Sequence, residues 1–193
     1  ESPWGRGRPG WHIECSVMSR ELLGDTVDIH AGGEDLTFPH HENEIAQSET
    51  VTGKQFVRYW LHMRFLMVGG GKMSKSLGNY VSFDEILDRH TPDALRYFYV
   101  STHYRRPLNF TWENMENAHN TVNRLENTLD LIEDAMRGPD DNLDYGKREE
   151  KLLNTVRAAR RGFIEAMDDD FDTPVALGHL HAVNGAINEY LTG

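Results

Sequence analysis

The sequence predicts an α/β sheet domain followed by an all-α region, and three observations predict it. A helix, a short strand, a tight turn and a second helix succeed one another within residues 1–60. A second apolar stretch, residues 65–68 (FLMV), runs straight into three glycines at 69–71 and a lysine-containing loop. From Thr111 onward strand signals vanish and apolar residues recur at steps of three and four.

The opening decapeptide ESPWGRGRPG is rich in glycine and proline and can only be loop. An amphipathic helix is expected from Trp11 to Leu23, with Cys15, Met18 and Leu22 at helical spacing and Gly24 as its stop. TVDIH alternates Val27 and Ile29 with polar neighbours and ends at Gly32 and Gly33, which reads as a strand entering a tight turn. The next helix has Pro39 in its first turn, carries HHENEIAQSE and closes near Gly53. After the glycine-hinged loop, Ser82 with Glu85 forms a capping box for one short helix, and Thr91 with Pro92 opens another. Between Thr111 and Gly138, the residues Met115, Ala118, Val122, Leu125, Leu129, Ile132 and Met136 predict one long buried stripe. Beyond the linker GPDDNLDYG, Leu152, Val156, Phe163 and Met167 predict a second helix. Thr173 and Pro174 start a third, with Leu177, Leu180, Val183, Ile187 and Leu191 inward. A chain that opens in such a loop and closes inside a bundle is expected to be an excised fragment.

Composition narrows the function classes. With 193 residues, 20 basic against 31 acidic side chains and a net charge of −11, the chain fits a globular protein of one to two domains. No apolar run approaches a membrane span, and no secretory segment opens the chain, so no membrane association is expected. The single cysteine, Cys15, cannot form an internal disulfide, which favours a reducing, cytoplasmic setting. The acidic balance excludes a wholly basic nucleic-acid binder but leaves room for a local basic stripe.

Several motifs fail on context. Gly5 to Gly10 satisfies GxGxxG, yet no strand precedes it and Pro9 blocks the helix it must open. Gly71-Lys72 lacks the hydroxyl residue of a phosphate loop, since Met73 follows. Asn109-Phe110-Thr111 is a glycosylation sequon without a secretory context. More informative are His40 and Glu44, four apart and therefore on one helix face, together with the thiol of Cys15. That sulfur, nitrogen and oxygen set is one tetrahedral zinc accepts, with a fourth position left over. The alternative is a buried cysteine beside a histidine and a glutamate that merely pair along a helix. KMSKSLGN, residues 72–79, places Lys72 and Lys75 among small hydroxyl residues on a loop hinged by glycines. Such a loop suits a mobile clamp whose ammonium groups stabilise charge on a leaving pyrophosphate.

KMSKS resembles the second signature of the class I aminoacyl-tRNA synthetases. SPWGRGRPGWHIECS and DIHAGGEDLTFPHHENEIAQSE are similar to the cysteinyl-tRNA synthetase family, and DALRYF at 93–98 and DDDFDTPVALGHL at 168–180 to its helical region. The resemblance spans essentially the whole chain. It implies the second half of a Rossmann-like catalytic domain with a zinc site over residues 1–62, a stem-contact module bearing KMSKS over 63–110, and a truncated DALR-type helical domain over 111–193. It further implies ATP-dependent activation of cysteine to cysteinyl-adenylate and its transfer to tRNA(Cys), by a monomer. In that family zinc is held by two cysteines, a histidine and a glutamate, and binds the substrate thiolate. Cys15, His40 and Glu44 match three of those ligands, and the remaining cysteine is expected upstream of Glu1. Lys75 matches the catalytic lysine assigned to ATP, with Lys72 as its companion and magnesium accompanying the nucleotide. Trp11 matches an aromatic beside the substrate side chain, and His30, Gly32 and Gly33 are expected along the adenylate.

One departure from the family is that its HxGH-type signature is absent. Gly178-His179-Leu180-His181 is a superficial echo inside an apolar helical stripe, which reads as core or surface histidine. The isolated chain is therefore expected to be inactive. Two other readings stand beside the leading one. The cysteine:glucosaminyl-inositol ligases of mycothiol synthesis share KMSKS, but the pattern from Asn43 to Gln47 favours the tRNA enzyme. A non-catalytic tRNA-binding module would use Arg105, Arg106, Arg157, Arg160 and Arg161 on phosphates.

Overall fold

The computed structural model describes residues 1–73, 78–138 and 145–192, and its contacts divide the chain into two units. The first, residues 1–65 with 104–106, is organised on a β-α-β crossover. Helix α1 (His12–Leu23) precedes strand β1 (Val27–Gly33), α2 (Glu42–Thr52) crosses over, and β2 (Val57–Met63) runs parallel to β1. The register pairs Val27 with Val57, His30 with Trp60 and Gly33 with Met63. Parallel neighbours require such a crossover and bury their apolar side chains. Here Val27, Phe56 and Val57 form the core, with Ile45 and Trp60 packed against it. α1 rests on α2, where the buried Ser16 hydroxyl donates to the Gln47 side-chain oxygen at 2.8 Å.

Two details of this unit differ from the sequence reading. Gly32 and Gly33 do not form a turn but complete β1, hydrogen-bonded into the sheet opposite His62 and Met63. Pro39 does not lie in the first turn of α2. It belongs to an irregular helical turn, Thr37–His41, interrupted at Phe38, whose φ and ψ of −138° and 132° are extended, as proline imposes on the residue before it.

In the second unit β3 (Leu66–Val68) lies between β4 (Gly71–Lys72), antiparallel to it, and β5 (Leu108–Phe110), parallel to it. Helices α3 (Phe83–Leu87) and α4 (Pro92–Val100) begin where the capping residues predict: the Ser82 and Thr91 hydroxyls accept from the N–H groups of Glu85 and Ala94, each at 3.2 Å. Thr111 caps α5 (Trp112–Met136) in the same way. Ile86, Leu95, Phe98, Phe110 and Met115 form the core of this region. α6 (Lys147–Asp168) and α7 (Thr173–Thr192) pack on each other, and α7 also on α5.

The helical stripes are less complete than their spacing predicts. Of the predicted α5 stripe only Met115, Ala118 and Val122 are fully buried, while Leu129 and Met136 face solvent. Thr128 is buried instead, and its hydroxyl accepts from the Asn188 amide of α7 at 2.7 Å. The neighbouring helices cover only part of a 25-residue helix, so its distal apolar positions stay open. On α6 and α7, Phe163 and Leu180 are exposed and the buried places go to Ala159, Ala166 and Ala176. Small residues win there because the two helices approach closely at Gly162, where a Cβ would overlap the His179 ring. His181 Nε2 meets the Tyr97 hydroxyl at 2.7 Å, so both histidines of the GHLH echo serve packing. No helix among the described residues is long and apolar enough to cross a membrane.

Candidate metal centre

Residues three and four apart share a helix face, so α1 presents His12, Cys15 and Ser16 together toward α2. The turn Thr37–His41 delivers His40, and Glu44 follows one turn later on α2. The Cys15 sulfur, a His40 ring nitrogen and a Glu44 carboxylate oxygen all lie within 4.8 Å of one another. Ligands about 2.0–2.3 Å from a tetrahedral zinc stand about 3.3–3.8 Å apart, a spacing that the 4.8 Å limit on these three donors accommodates.

Glu44 supplies the test of that fit. Its side chain is 0% exposed, and among the described residues neither carboxylate oxygen accepts a hydrogen bond. His40 Nε2 stands 2.7 Å from Oε1 and His30 Nε2 3.4 Å from Oε2, near enough to touch but not aligned to donate. Among the described residues no lysine or arginine pairs with it. A buried carboxylate without donors is strongly disfavoured, and burial pushes the Glu44 carboxyl up to about 7. Acceptor atoms gathered without donors between them are the arrangement a cation resolves. Burial, followed by the negative charges of Glu44 and Glu14, also raises the Cys15 thiol. A bound cation reverses that effect and favours the thiolate.

The histidines are arranged to serve as neutral ligands. His40 Nδ1 lies 2.8 Å from His12 Nδ1. A proton on His40 Nδ1 donated to His12 leaves the Nε2 lone pair aimed at the centre, which is how outer hydrogen bonds orient metal-binding imidazoles. The Trp11 ring stacks on His40 with centroids 4.1 Å apart. His30, on β1, forms a second triple with His41 and the same Glu44, again within 4.8 Å. His41 Nδ1 meets His62 Nε2 of β2 at 2.8 Å, and the Trp60 ring lies 4.8 Å from both His30 and His41. Burial, reinforced by the neighbouring histidines His30, His62 and His40, holds His41 down at about 4. Burial chiefly lowers His30 and His40 as well. Gly32 makes room for this cluster, since a Cβ there would stand 2.8 Å from His41 Cε1.

Of the residues singled out from the sequence, the structure brings Trp11, Cys15, His30, Gly32, His40 and Glu44 into one cluster. Gly33 pairs with Met63 at the end of β1. Lys72 lies in β4 opposite Met67, and Lys75 falls outside the described residues. Sequence reasoning misses His12, Trp60 and His62, and it sets His41 aside because the residue four positions on, Ile45, cannot ligate, whereas the structure gathers His41 with His30 and Glu44. His12 has a signal, its place one turn before Ser16 on the cysteine's helix, but His62 reaches the cluster only through the pairing of β2 with β1.

Residues 1–120 match the family described as tRNA synthetases class I (C) catalytic domain, and residues 162–193 match the DALR domain. The cysteine–tRNA ligase of Thermococcus onnurineus (strain NA1) is 55% identical over 192 residues, which is 100% of this chain and 40% of the relative. The cysteine–tRNA ligase of Bacillus cereus (strain B4264) is 48% identical over 191 residues, 99% of this chain and 40% of the relative. The chain thus spans about 40% of the length of the curated relatives it matches. Among solved structures, the LeuRS of Agrobacterium radiobacter K84 in ternary complex with tRNA and LeuAMS superposes with a TM-score of 0.68. The match covers 84% of this chain and 22% of that one at 18% identity, a likeness of fold.

Proposed function

The chain belongs to the family of class I (C) tRNA synthetase catalytic domains, and on that premise we propose that it is the metal-bearing part of a cysteine–tRNA ligase. The observation that carries this reading is the fully buried, donor-free Glu44 carboxylate gathered with the Cys15 sulfur and a His40 nitrogen. In it Cys15, His40 and Glu44 hold a zinc ion, and His12 fixes the ring of His40. When bound, zinc supplies a soft Lewis acid that a thiolate ligates far better than a hydroxyl does, which separates cysteine from serine without editing. Trp11, against His40, borders the amino-acid side chain. His30, Gly32 and Gly33 line the adenylate. Lys72 and Lys75, on the module assigned to 63–110, neutralise the phosphates of ATP with magnesium.

The reaction then runs as family chemistry requires. A carboxylate oxygen of cysteine attacks the α-phosphorus of ATP, and the bond to pyrophosphate breaks. A terminal ribose hydroxyl of tRNA(Cys) attacks the acyl carbon, and AMP leaves. Positioning and charge stabilisation supply the acceleration. The test is cysteine-dependent pyrophosphate exchange and zinc content in the full-length protein. Expected are exchange with cysteine and not serine, and loss of zinc on Cys15→Ser with the isolated 193-residue chain at background. Unchanged zinc in Cys15→Ser, or acyl transfer only to an amino sugar, would sink the reading.

A further inference from the structure

The arginines of the second unit fall into two groups. Arg89, Arg96 and Arg137 pair with carboxylates, Arg124 donates to the Thr121 hydroxyl, and Arg148 donates to the Tyr190 carbonyl. Arg157, Arg160 and Arg161 on α6 are exposed and make no hydrogen bond or ion pair among the described residues. At about 100° of turn per residue these three span an arc of about 100°, on the side of α6 opposite the buried Ala159 and Ala166. Ile164, exposed, lies within the same arc. The nearest acidic positions on the helix are Glu165, one turn beyond Arg161, and Glu150 and Asp168, two turns before Arg157 and two turns beyond Arg161, and none pairs with the patch among the described residues. Positive charge without a partner among the described residues is thus concentrated over little more than one helical turn of a chain whose net charge is −11.

We propose that Arg157, Arg160 and Arg161 form a contact for the phosphate backbone of tRNA, an inference that rests on the proposed reading of the chain as part of a tRNA-charging enzyme. An acidic protein repels RNA over most of its surface, so approach is favoured where local potential is positive. Guanidinium groups free of internal partners offer paired N–H donors to phosphate oxygens without first breaking an ion pair. The patch lies between the segments that the two family models match, residues 1–120 and 162–193.

The experiment compares the full-length protein with its Arg157→Gln/Arg160→Gln/Arg161→Gln variant and the matching triple Lys variant. It measures tRNA dissociation constants between 50 and 200 mM salt, alongside cysteine-dependent pyrophosphate exchange without tRNA. Each phosphate contact contributes about 0.7–0.9 to the slope of log K against log salt, so the Gln variant should lose about 2–3 from the slope. Across that salt range the parent should lose about 20- to 40-fold more affinity than the variant. The Lys variant should retain most of the slope, and exchange should be unchanged in all three proteins. A Gln variant with the parent's slope overturns the patch and leaves the enzyme reading standing. A slope lost equally in the Lys variant also overturns it, because charge would then not be the cause. Absence of exchange in the parent overturns the enzyme reading, while the patch is still decided by the salt slope.

Discussion

Glu44 is a carboxyl whose folded and unfolded states differ in proton affinity because its surroundings remove water and supply no donor. Burial raises it from 4.5 to about 7, so in metal-free protein the folded state keeps a proton that the unfolded state has lost between those values. Stability therefore falls as pH rises through that window, by up to about 3 kcal/mol. His41 acts oppositely: held at about 4 against 6.5, it favours the folded state increasingly as pH rises from 4 to 6.5. The two partly cancel, and only a difference measurement isolates Glu44. With a chelator present, Glu44→Gln should remove the decline and be more stable than the parent at pH 8, by urea denaturation at pH 5 and pH 8. Identical pH dependence of the two proteins would refute the assignment. With zinc added, the order should reverse, since a carboxamide cannot replace an anionic ligand. Part of this site was legible beforehand: the spacing of His40 and Glu44 and the rarity of cysteine are local signals. The rest was not, because His41, Trp60 and His62 become neighbours only through a parallel pairing between strands 24 residues or more apart in the chain.

At the scale of helices, caps read well and faces read poorly. Ser82, Thr91 and Thr111 each cap as their chemistry dictates, since a capping hydroxyl needs only its own next three residues. Whether an apolar residue is buried depends on which helix covers it, and so Leu129, Phe163 and Leu180 face solvent despite correct periodicity. The close approach of α6 and α7 makes a sharp contrast between two glycines. At Gly162 an added Cβ would overlap the His179 imidazole, whereas at Gly178 on α7 it meets nothing within 4 Å. Gly178→Ala should therefore stabilise by about 0.5–1 kcal/mol through helix propensity. Gly162→Ala should destabilise by about 1–3 kcal/mol, as overpacking outweighs that gain. Urea midpoints of both variants check this, and a stabilised Gly162→Ala would show that His179 yields without cost.

Across the whole chain, every residue of both candidate metal triples, drawn from α1, β1, the turn Thr37–His41 and α2, belongs to the first unit. The order of an α/β part before an all-α part was readable because hydrophobic periodicity changes from two to between three and four. The β2 strand was not, since VRYWLHM carries exposed Arg58 and Tyr59 with no clean alternation. An ion that binds only the folded state adds stability by mass action, about 4 kcal/mol at a thousandfold excess over its dissociation constant. That increment should fall on the unit that supplies the ligands. Hydrogen exchange with and without chelator tests it: zinc removal should raise exchange in α1, β1 and α2, where the donors are held, and leave α5, α6 and α7 unchanged. The second unit keeps its own core of Phe98, Phe110 and Met115, together with the Thr128–Asn188 bond, and needs no ion for either. Equal loss of protection in both units would show that the metal acts on the whole molecule, and would overturn a site confined to the first.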